Sequence, residues 1–207
     1  MITRQRYVLD TSAFTNAVDG GSKVTIEFIK RLVKLVADAR VNLNISCYIP
    51  IPTIYEEMQV SFRTLGAKPE LVTAIDTWFI KKTPNRYEVK IPAQIFYDFI
   101  SDIRERINKG LRVSEDAVKV AIKEDDHGPV INSLREKYRG ALREGILDSK
   151  EDLDVLLLAK EMDATVVSAD EGIRKWAERL GLKYVEAKKF PIVLEEFLQS
   201  EANSPPR

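Results

Sequence analysis

Tyr7-Val8-Leu9-Asp10-Thr11-Ser12 is a short apolar strand that stops on a carboxylate followed by two hydroxyl residues. α/β proteins place their chemistry where parallel strands end, at the C-terminal edge of the sheet. The fold and the function both turn on whether later segments bring more acids to the edge that Asp10 marks.

Downstream, the hydrophobic pattern alternates between helix and strand. A break at Gly20-Gly21, with Ser22 as N-cap, precedes a helical stripe over 23–39 (Ile26, Ile29, Leu32, Val33, Val36). Residues 41–49 alternate Val41, Leu43, Ile45, Cys47 and Ile49 with polar neighbours, the period of a strand. Pro50 and Pro52 end it and open a helix over 53–65, stopped by Gly66. A helix over 69–80 follows, with Lys81 and Lys82 at its C-terminal end, and then an extended stretch over 84–91. Residues 92–144 read as entirely helical: 92–109 closed by Gly110, a helix capped by Ser114 to about 124, a turn at 125–129 and a helix over 130–144. A fully apolar helix with an acidic start follows residue 148, then a strand over 164–168, a helix over 171–180 and a strand over 183–185. A terminal helix over 191–198 and a frayed tail from 200 close the chain. Strands alternating with helices predict an α/β fold with a parallel sheet, interrupted by a helical arm.

Composition excludes several chemistries. Cys47 is the only cysteine and His127 the only histidine, which removes an intrachain disulfide, Cys-based zinc sites and catalysis built on several histidines. Cys47 is expected as a small core residue, His127 as a turn residue, and Trp78 and Trp176 as core residues. The 32 basic residues balance 32 acidic ones, so any nucleic-acid surface has to be a local patch. No stretch is long and apolar enough for a membrane span, and Arg4 and Arg6 lead into a short strand rather than a signal-peptide pattern. A cytoplasmic location is the expectation.

Four places carry acids: Asp10 after the first strand, Glu56 and Glu57 on the helix after the second, Asp148, Asp152 and Asp154 at a helix start, and Asp170 after the strand at 164–168. Asp10 and Asp170 share the C-terminal edge of a parallel sheet, and Glu57 can join them. The helix after 148 leads into strand 164–168. If it runs antiparallel to that strand it is expected to start at the opposite edge, separating Asp152 from Asp170 unless it lies across the rim. Crowded carboxylates need cations, and oxygen-rich sites suit Mg²⁺ or Mn²⁺, which can activate water for phosphoryl chemistry. Each acid alone also has a structural reading, as a helix-dipole or turn residue.

Together, Tyr7-Val8-Leu9-Asp10-Thr11-Ser12, Tyr55-Glu56-Glu57-Met58, Asp152–Ala159 and Thr165-Val166-Val167-Ser168-Ala169-Asp170 resemble the PIN-domain ribonucleases in order and spacing. The run from Ser168 to Ile173 and the helical insertion are similar to the minimal protein-only ribonuclease P group (HARP, also called RNA ligase partner proteins). The resemblance spans residues 5–198. It implies a PIN-like parallel sheet flanked by helices, built from 1–91 and 145–200, an inserted arm over 92–144 and a flexible tail over 201–207. It also implies a catalytic set of Asp10, Asp148, Asp152 and Asp170, and a metal set of Asp10, Glu57, Asp152 and Asp170 that holds Mg²⁺, with Mn²⁺ able to substitute. Glu56 competes with Glu57; Met58 supplies the apolar residue expected after the acid. Asp154 is a further candidate as a ligand of metal-bound water, and Thr11 and Ser12 as donors to Asp10. The implied reaction is removal of the 5′ leader of precursor tRNA by a large homo-oligomer packed through the arm. Lys119, Lys123, Arg135, Lys137, Arg139 and Arg143 are candidate phosphate contacts. The alternatives are a PIN endoribonuclease acting on another RNA and a non-catalytic RNA-binding scaffold.

Overall fold

The computed structural model describes residues 5–15, 25–143, 147 and 149–203, without the side chain of Arg143. Gly20, Gly21, Ser22, Asp148 and the last four residues of the expected tail lie outside the described residues. The chain divides into two compact units, Met1–Lys90 with Ser149–Arg207, and Ile91–Asp148.

The first unit is built on a five-stranded sheet in which every pairing is parallel: β1 (Arg6–Leu9), β2 (Ser46–Pro50), β3 (Ile80–Lys82), β4 (Thr165–Ser168) and β5 (Tyr184–Glu186). The strand order is β3-β2-β1-β4-β5. The chain winds outward from β1 to β3, then returns to the other side of β1 for β4 and β5. The order therefore reverses between β1 and β4, and a crevice opens at that switch point beyond the C-terminal strand ends. The ladder continues one residue past β1, where the Asp10 N–H donates to the Val167 carbonyl at 3.0 Å. This fixes Asp10 at the rim.

Helices α1 (Ser12–Thr15), α2 (Ile26–Leu43), α3 (Thr53–Thr64), α4 (Pro69–Trp78), α7 (Lys150–Met162), α8 (Glu171–Arg179) and α9 (Phe190–Ala202) belong to this unit. The apolar run expected to be buried is so: Val155, Leu156, Leu157, Leu158 and Ala159 of α7 are all at most 9% exposed. Helix α7 packs on β1, β2 and β4, while Tyr7 of β1 meets Phe190 of α9 at a ring separation of 5.0 Å. Cys47 and Trp176 are buried; Trp78 is only half-buried.

Several boundaries differ from the sequence reading. The alternation over 41–49 begins inside a helix. Helix α2 runs to Leu43, Asn44 adopts the left-handed conformation (φ 53°) that ends it, and Val41 is 70% exposed. The helix starts at Ile26 with Thr25 as N-cap, accepting from the Phe28 N–H. Lys81 and Lys82 belong to strand β3, because Phe79 leaves the helix with extended backbone angles. The last helix continues to Ala202, past the start of the expected tail.

In the second unit, the breaks expected at Gly110 and Ser114 are absent. Helix α5 is continuous over Gln94–Ala121, and α6 spans Gly128–Arg143. At 1.5 Å per residue, 28 residues make a rod of about 42 Å. Ser114 does not cap; its hydroxyl donates back to the Gly110 carbonyl at 3.0 Å. Gly110 is a packing residue: a Cβ there would lie 2.8 Å from the Tyr138 ring of α6. With Arg106 Nη1 donating to the Leu142 carbonyl at 2.8 Å, this contact makes the two helices an antiparallel hairpin. Gly110→Leu overpacks the hairpin at a cost of about 1–3 kcal/mol. Replacing a helical glycine returns roughly 1 kcal/mol, so a net destabilisation of up to about 2 kcal/mol is expected. Amide exchange should quicken in α5 and α6 and stay unchanged in α7.

His127 is exposed in the turn before α6, where its carbonyl accepts from the Ile131 N–H. Among the described residues, no helix is long and apolar enough to cross a membrane.

Candidate active site

The crevice beyond β1 and β4 is a cleft of about 550 Å³. Among the described residues, its acids are Asp10, Glu56, Glu57, Glu151, Asp152 and Asp170, and its one basic residue is Lys150. Acids from four separate segments thus face one space. Asp10 follows β1, Asp170 follows β4, the glutamates ride on α3, and Asp152 arrives with the first turn of α7.

That last arrival corrects the expectation that α7 starts at the far edge. A helix antiparallel to the strand it feeds finishes at the strand's N-terminal edge, so it must begin at the C-terminal edge. Ser149, whose hydroxyl accepts from the Asp152 N–H at 3.0 Å, caps α7 at the cleft. Ordinary topology brings Asp152 to the site.

Asp10 is the deepest of the acids, 6% exposed. Its Oδ2 accepts from the Ser12 hydroxyl at 2.5 Å, the Ser168 hydroxyl at 2.8 Å and the Ser12 N–H at 3.3 Å. Each hydroxyl has one proton and both are spent on Asp10. The 3.1 Å between the two serine oxygens is therefore a contact between donors that share an acceptor. Burial pushes the Asp10 carboxyl above the ordinary carboxylate range, against the lowering effect of those hydroxyls and of the Ser12 and Thr11 backbone.

Glu57 Oε2 accepts from the Thr11 hydroxyl at 2.8 Å, which ties α3 to the end of β1. The Thr11 hydroxyl thus positions Glu57, while that of Ser12 donates to Asp10. Glu56 also lines the cleft. Asp170 is exposed and caps α8: its Oδ1 accepts from the Ile173 N–H at 2.9 Å, and its own N–H donates to Ser168 Oγ at 3.0 Å. Ser168 therefore bridges Asp10 and Asp170. Ser168 stands inside the motif that ends on Asp170, where the sequence alone marks no role for it. The available signal was a hydroxyl at a strand end two residues before an acid.

Asp154 is not among the residues lining the cleft. It is 1% exposed, its Oδ2 accepts from the Thr53 hydroxyl at 2.9 Å, and Arg86 grips both its oxygens at 2.9 and 2.6 Å. Asp148 lies outside the described residues. Among the candidate phosphate contacts, Lys119 pairs with Asp116, Arg135 and Arg139 line one shallow depression of the arm, Lys137 lines another, and Lys123 is exposed.

The donor set fits a hard divalent cation: it is all oxygen and mostly carboxylate, in a cleft with six acids and one base. Among the described residues no three such side chains stand close enough to hold an ion directly. The oxygens of Asp10, Glu57 and Asp170 are held by the neighbouring hydroxyls and backbone instead.

A family model described as PINc domain ribonuclease matches residues 6–199. Proteins named RNA-free ribonuclease P are similar along nearly the whole chain. The one from Methanocaldococcus jannaschii is 46% identical, covering 95% of this chain and 93% of its own length. The one from Archaeoglobus fulgidus is 49% identical, covering 95% and 92%, and that from Methanococcus maripaludis 49%, covering 94% and 96%. The chain belongs to the RNA-free ribonuclease P family of PINc-domain ribonucleases. It is accordingly an endoribonuclease with an α/β PIN-like fold. Nucleases of the PIN type generally use divalent metals, in keeping with the oxygen-only cleft.

Family membership gives Ser168 a testable place. Ser168→Ala removes a donor from Asp10 and an acceptor from the Asp170 N–H. It is expected to cost about 1.5–3 kcal/mol of stability, since one lost bond is to a carboxylate. Losing a donor to the ionised form also moves the Asp10 carboxyl further up, so the acid limb of the cleavage profile should shift to higher pH. A pH–rate profile beside a thermal melt separates this from a purely structural loss.

Proposed function

We propose that the chain is a protein-only ribonuclease P that removes the 5′ leader of precursor tRNA by hydrolysis. The observation that carries this reading is the convergence of acids from four segments on one rim, in a chain nearly half identical to RNA-free ribonuclease P proteins. Asp10, Glu57, Asp152 and Asp170 would hold Mg²⁺, which Mn²⁺ can replace, with Asp148 as a further acid of the reaction. The bound ions would activate water and offset charge at the phosphate. The chain's own part is orientation: Ser12 and Ser168 aim Asp10, Thr11 aims Glu57, and the Ile173 N–H aims Asp170. Lys150 at the cleft offers a contact for a phosphate next to the scissile one.

We assign the arm two roles. Lys119, Lys123, Arg135, Lys137, Arg139 and Arg143 would contact the tRNA body through phosphates. Self-association into a large homo-oligomer is supported by an uncovered stripe on α5 and its C-cap Ile122. Phe96, Ile100, Ile107, Leu111, Val118 and Ile122 are each 55–80% exposed and spaced 4, 7, 4, 7 and 4 residues apart. At 100° per residue they fall within roughly 80° of arc, a single face. We also place the protein in the cytoplasm.

The test is incubation of the purified protein with precursor tRNA and Mg²⁺, followed by mapping of the 5′ product. Release of an intact leader is expected, and chelation of the metal should stop it. Cleavage elsewhere in the RNA would point to another substrate. Absence of both cleavage and Mn²⁺ binding by calorimetry would leave only a scaffold role.

A further inference from the structure

A second concave surface of the nuclease unit lies away from the acids. It is a groove of about 430 Å³ between α2 and α4, floored by Val33, Ala37, Leu71, Ala74 and Trp78. Its rim carries Lys30, Lys34 and Lys68, all exposed, with Glu70 as its only acid among the described residues. None of the three lysines has an ion-pair partner among the described residues, so the rim keeps a net positive charge beside an apolar floor. Trp78 is half-buried and closes one end. Arg40 fixes that end by donating to the Trp78 carbonyl at 2.8 Å.

We propose that this groove binds the single-stranded 5′ leader of the substrate RNA, an inference that rests on the ribonuclease P reading above. Unpaired cations beside an aromatic face are the two elements that single strands use. Phosphates track the charge, and unstacked bases stack on the ring. Duplex RNA does not fit, because its bases are already stacked and cannot reach Trp78. Direction favours the leader. Helices α2 and α4 each feed a parallel strand, so their N-terminal portions, with Lys30 just past the first turn of α2 and Lys68 as the N-cap of α4, lie toward the C-terminal edge where the acids are. Trp78 ends α4 and lies toward the other edge. A strand leaving the cleft would pass the lysines first and reach the tryptophan later. The cleft itself, rich in carboxylates, offers a leader no such hold.

The test uses the full-length protein and two precursor tRNAs, one with a long single-stranded leader and one with a minimal leader. In Trp78→Leu, and separately in a Lys30→Gln, Lys34→Gln, Lys68→Gln triple variant, KM for the long-leader substrate should rise roughly tenfold. KM for the minimal-leader substrate and kcat for both should stay unchanged. The triple variant should also show a shallower salt dependence with the long leader. An equal change on both substrates, no change on either, or a change that follows the 3′ trailer would overturn the proposal. So would an altered assembly size by light scattering, which would make the groove a seam between copies. A direct readout keeps this separate from the ribonuclease P reading. Trp78 is the more exposed of the two tryptophans, and a single-stranded oligouridylate should quench its fluorescence in the wild type but not in the triple variant. Quenching by a protein that leaves precursor tRNA uncut would reject the tRNA reading and keep the groove as a single-strand site; no quenching would reject the groove.

Discussion

Asp10→Asn is expected to lower cleavage by about three orders of magnitude, or about 4 kcal/mol of barrier, while raising the thermal midpoint. The two effects share one cause. Asp10 is 6% exposed, and burial holds its carboxyl above the ordinary carboxylate range. The native state therefore holds a proton that the unfolded chain has already released, and stability falls as pH rises through that window. Above the ordinary carboxylate range, the buried carboxyl is therefore a cost to the fold. Asparagine removes the charge and keeps an oxygen that can accept from Ser12 and Ser168. The midpoint should rise by a few degrees at pH 7, and the gain should shrink as pH is lowered into the ordinary carboxylate range. Asp170→Asn makes a useful contrast. It should also lose cleavage, but Asp170 is exposed and asparagine caps a helix as well as aspartate does, so no stability gain is expected. Mn²⁺ should raise the wild-type midpoint by mass action and leave that of Asp10→Asn nearly unmoved. Wild-type cleavage by either variant would remove these acids from the site.

Asp154→Ala is expected to be the most damaging single change to the nuclease unit outside its apolar core. The carboxylate is buried and joins the start of α3 through Thr53 to α7, while Arg86 holds it from the segment after β3. Losing a buried charged acceptor and leaving a void should cost about 2–4 kcal/mol, a fall in midpoint on the order of 10 °C. Cleavage should fall as well, even below the new midpoint. Thr53 opens the helix that carries Glu57, and Asp154 lies two residues from Asp152, so both of these cleft acids, which we propose as metal ligands, lose a common brace. Asp154→Asn keeps an acceptor for Thr53 and should recover part of the loss. If Asp154→Ala instead melts like the wild type and yet fails to cleave, Asp154 belongs with the reacting groups rather than the framework.

Much of this was legible in the residues, and the misreadings have identifiable causes. The strand before Asp10, the apolar α7 and the strand before Asp170 declare themselves because buried parallel strands and buried helices tolerate little else. The stretch at 41–49 misled because Val41 and Leu43 continue an alternation that tertiary structure does not use; the left-handed Asn44 was the signal that separates helix from strand. Gly110 misled because a helical glycine reads as a stop, whereas here it makes room for Tyr138, a contact that only long-range packing reveals. In the candidate site, Asp10, Glu57, Asp152 and Asp170 were expected together from a family resemblance in order and spacing, and all four line the cleft. The roles of Ser168 and Arg86 were not legible in this way, since each depends on a partner far away in the chain, at Asp10 and Asp154.

The clamp on α7 also bears on where this protein can be cut and rejoined. Lys82 pairs with Glu161, the Asn85 N–H donates to the same glutamate, and Arg86 holds Asp154, so three successive anchors pin the segment ahead of residue 91 to one helix. A graft that exchanges the hairpin from residue 91 onward keeps all three. A graft made a few residues earlier, at a stretch that looks like dispensable linker, discards Arg86 and leaves a buried carboxylate without its counter-charge. The modular boundary therefore lies after the clamp, and arms of other lengths can be transplanted onto this nuclease only if residues 82–86 travel with the recipient.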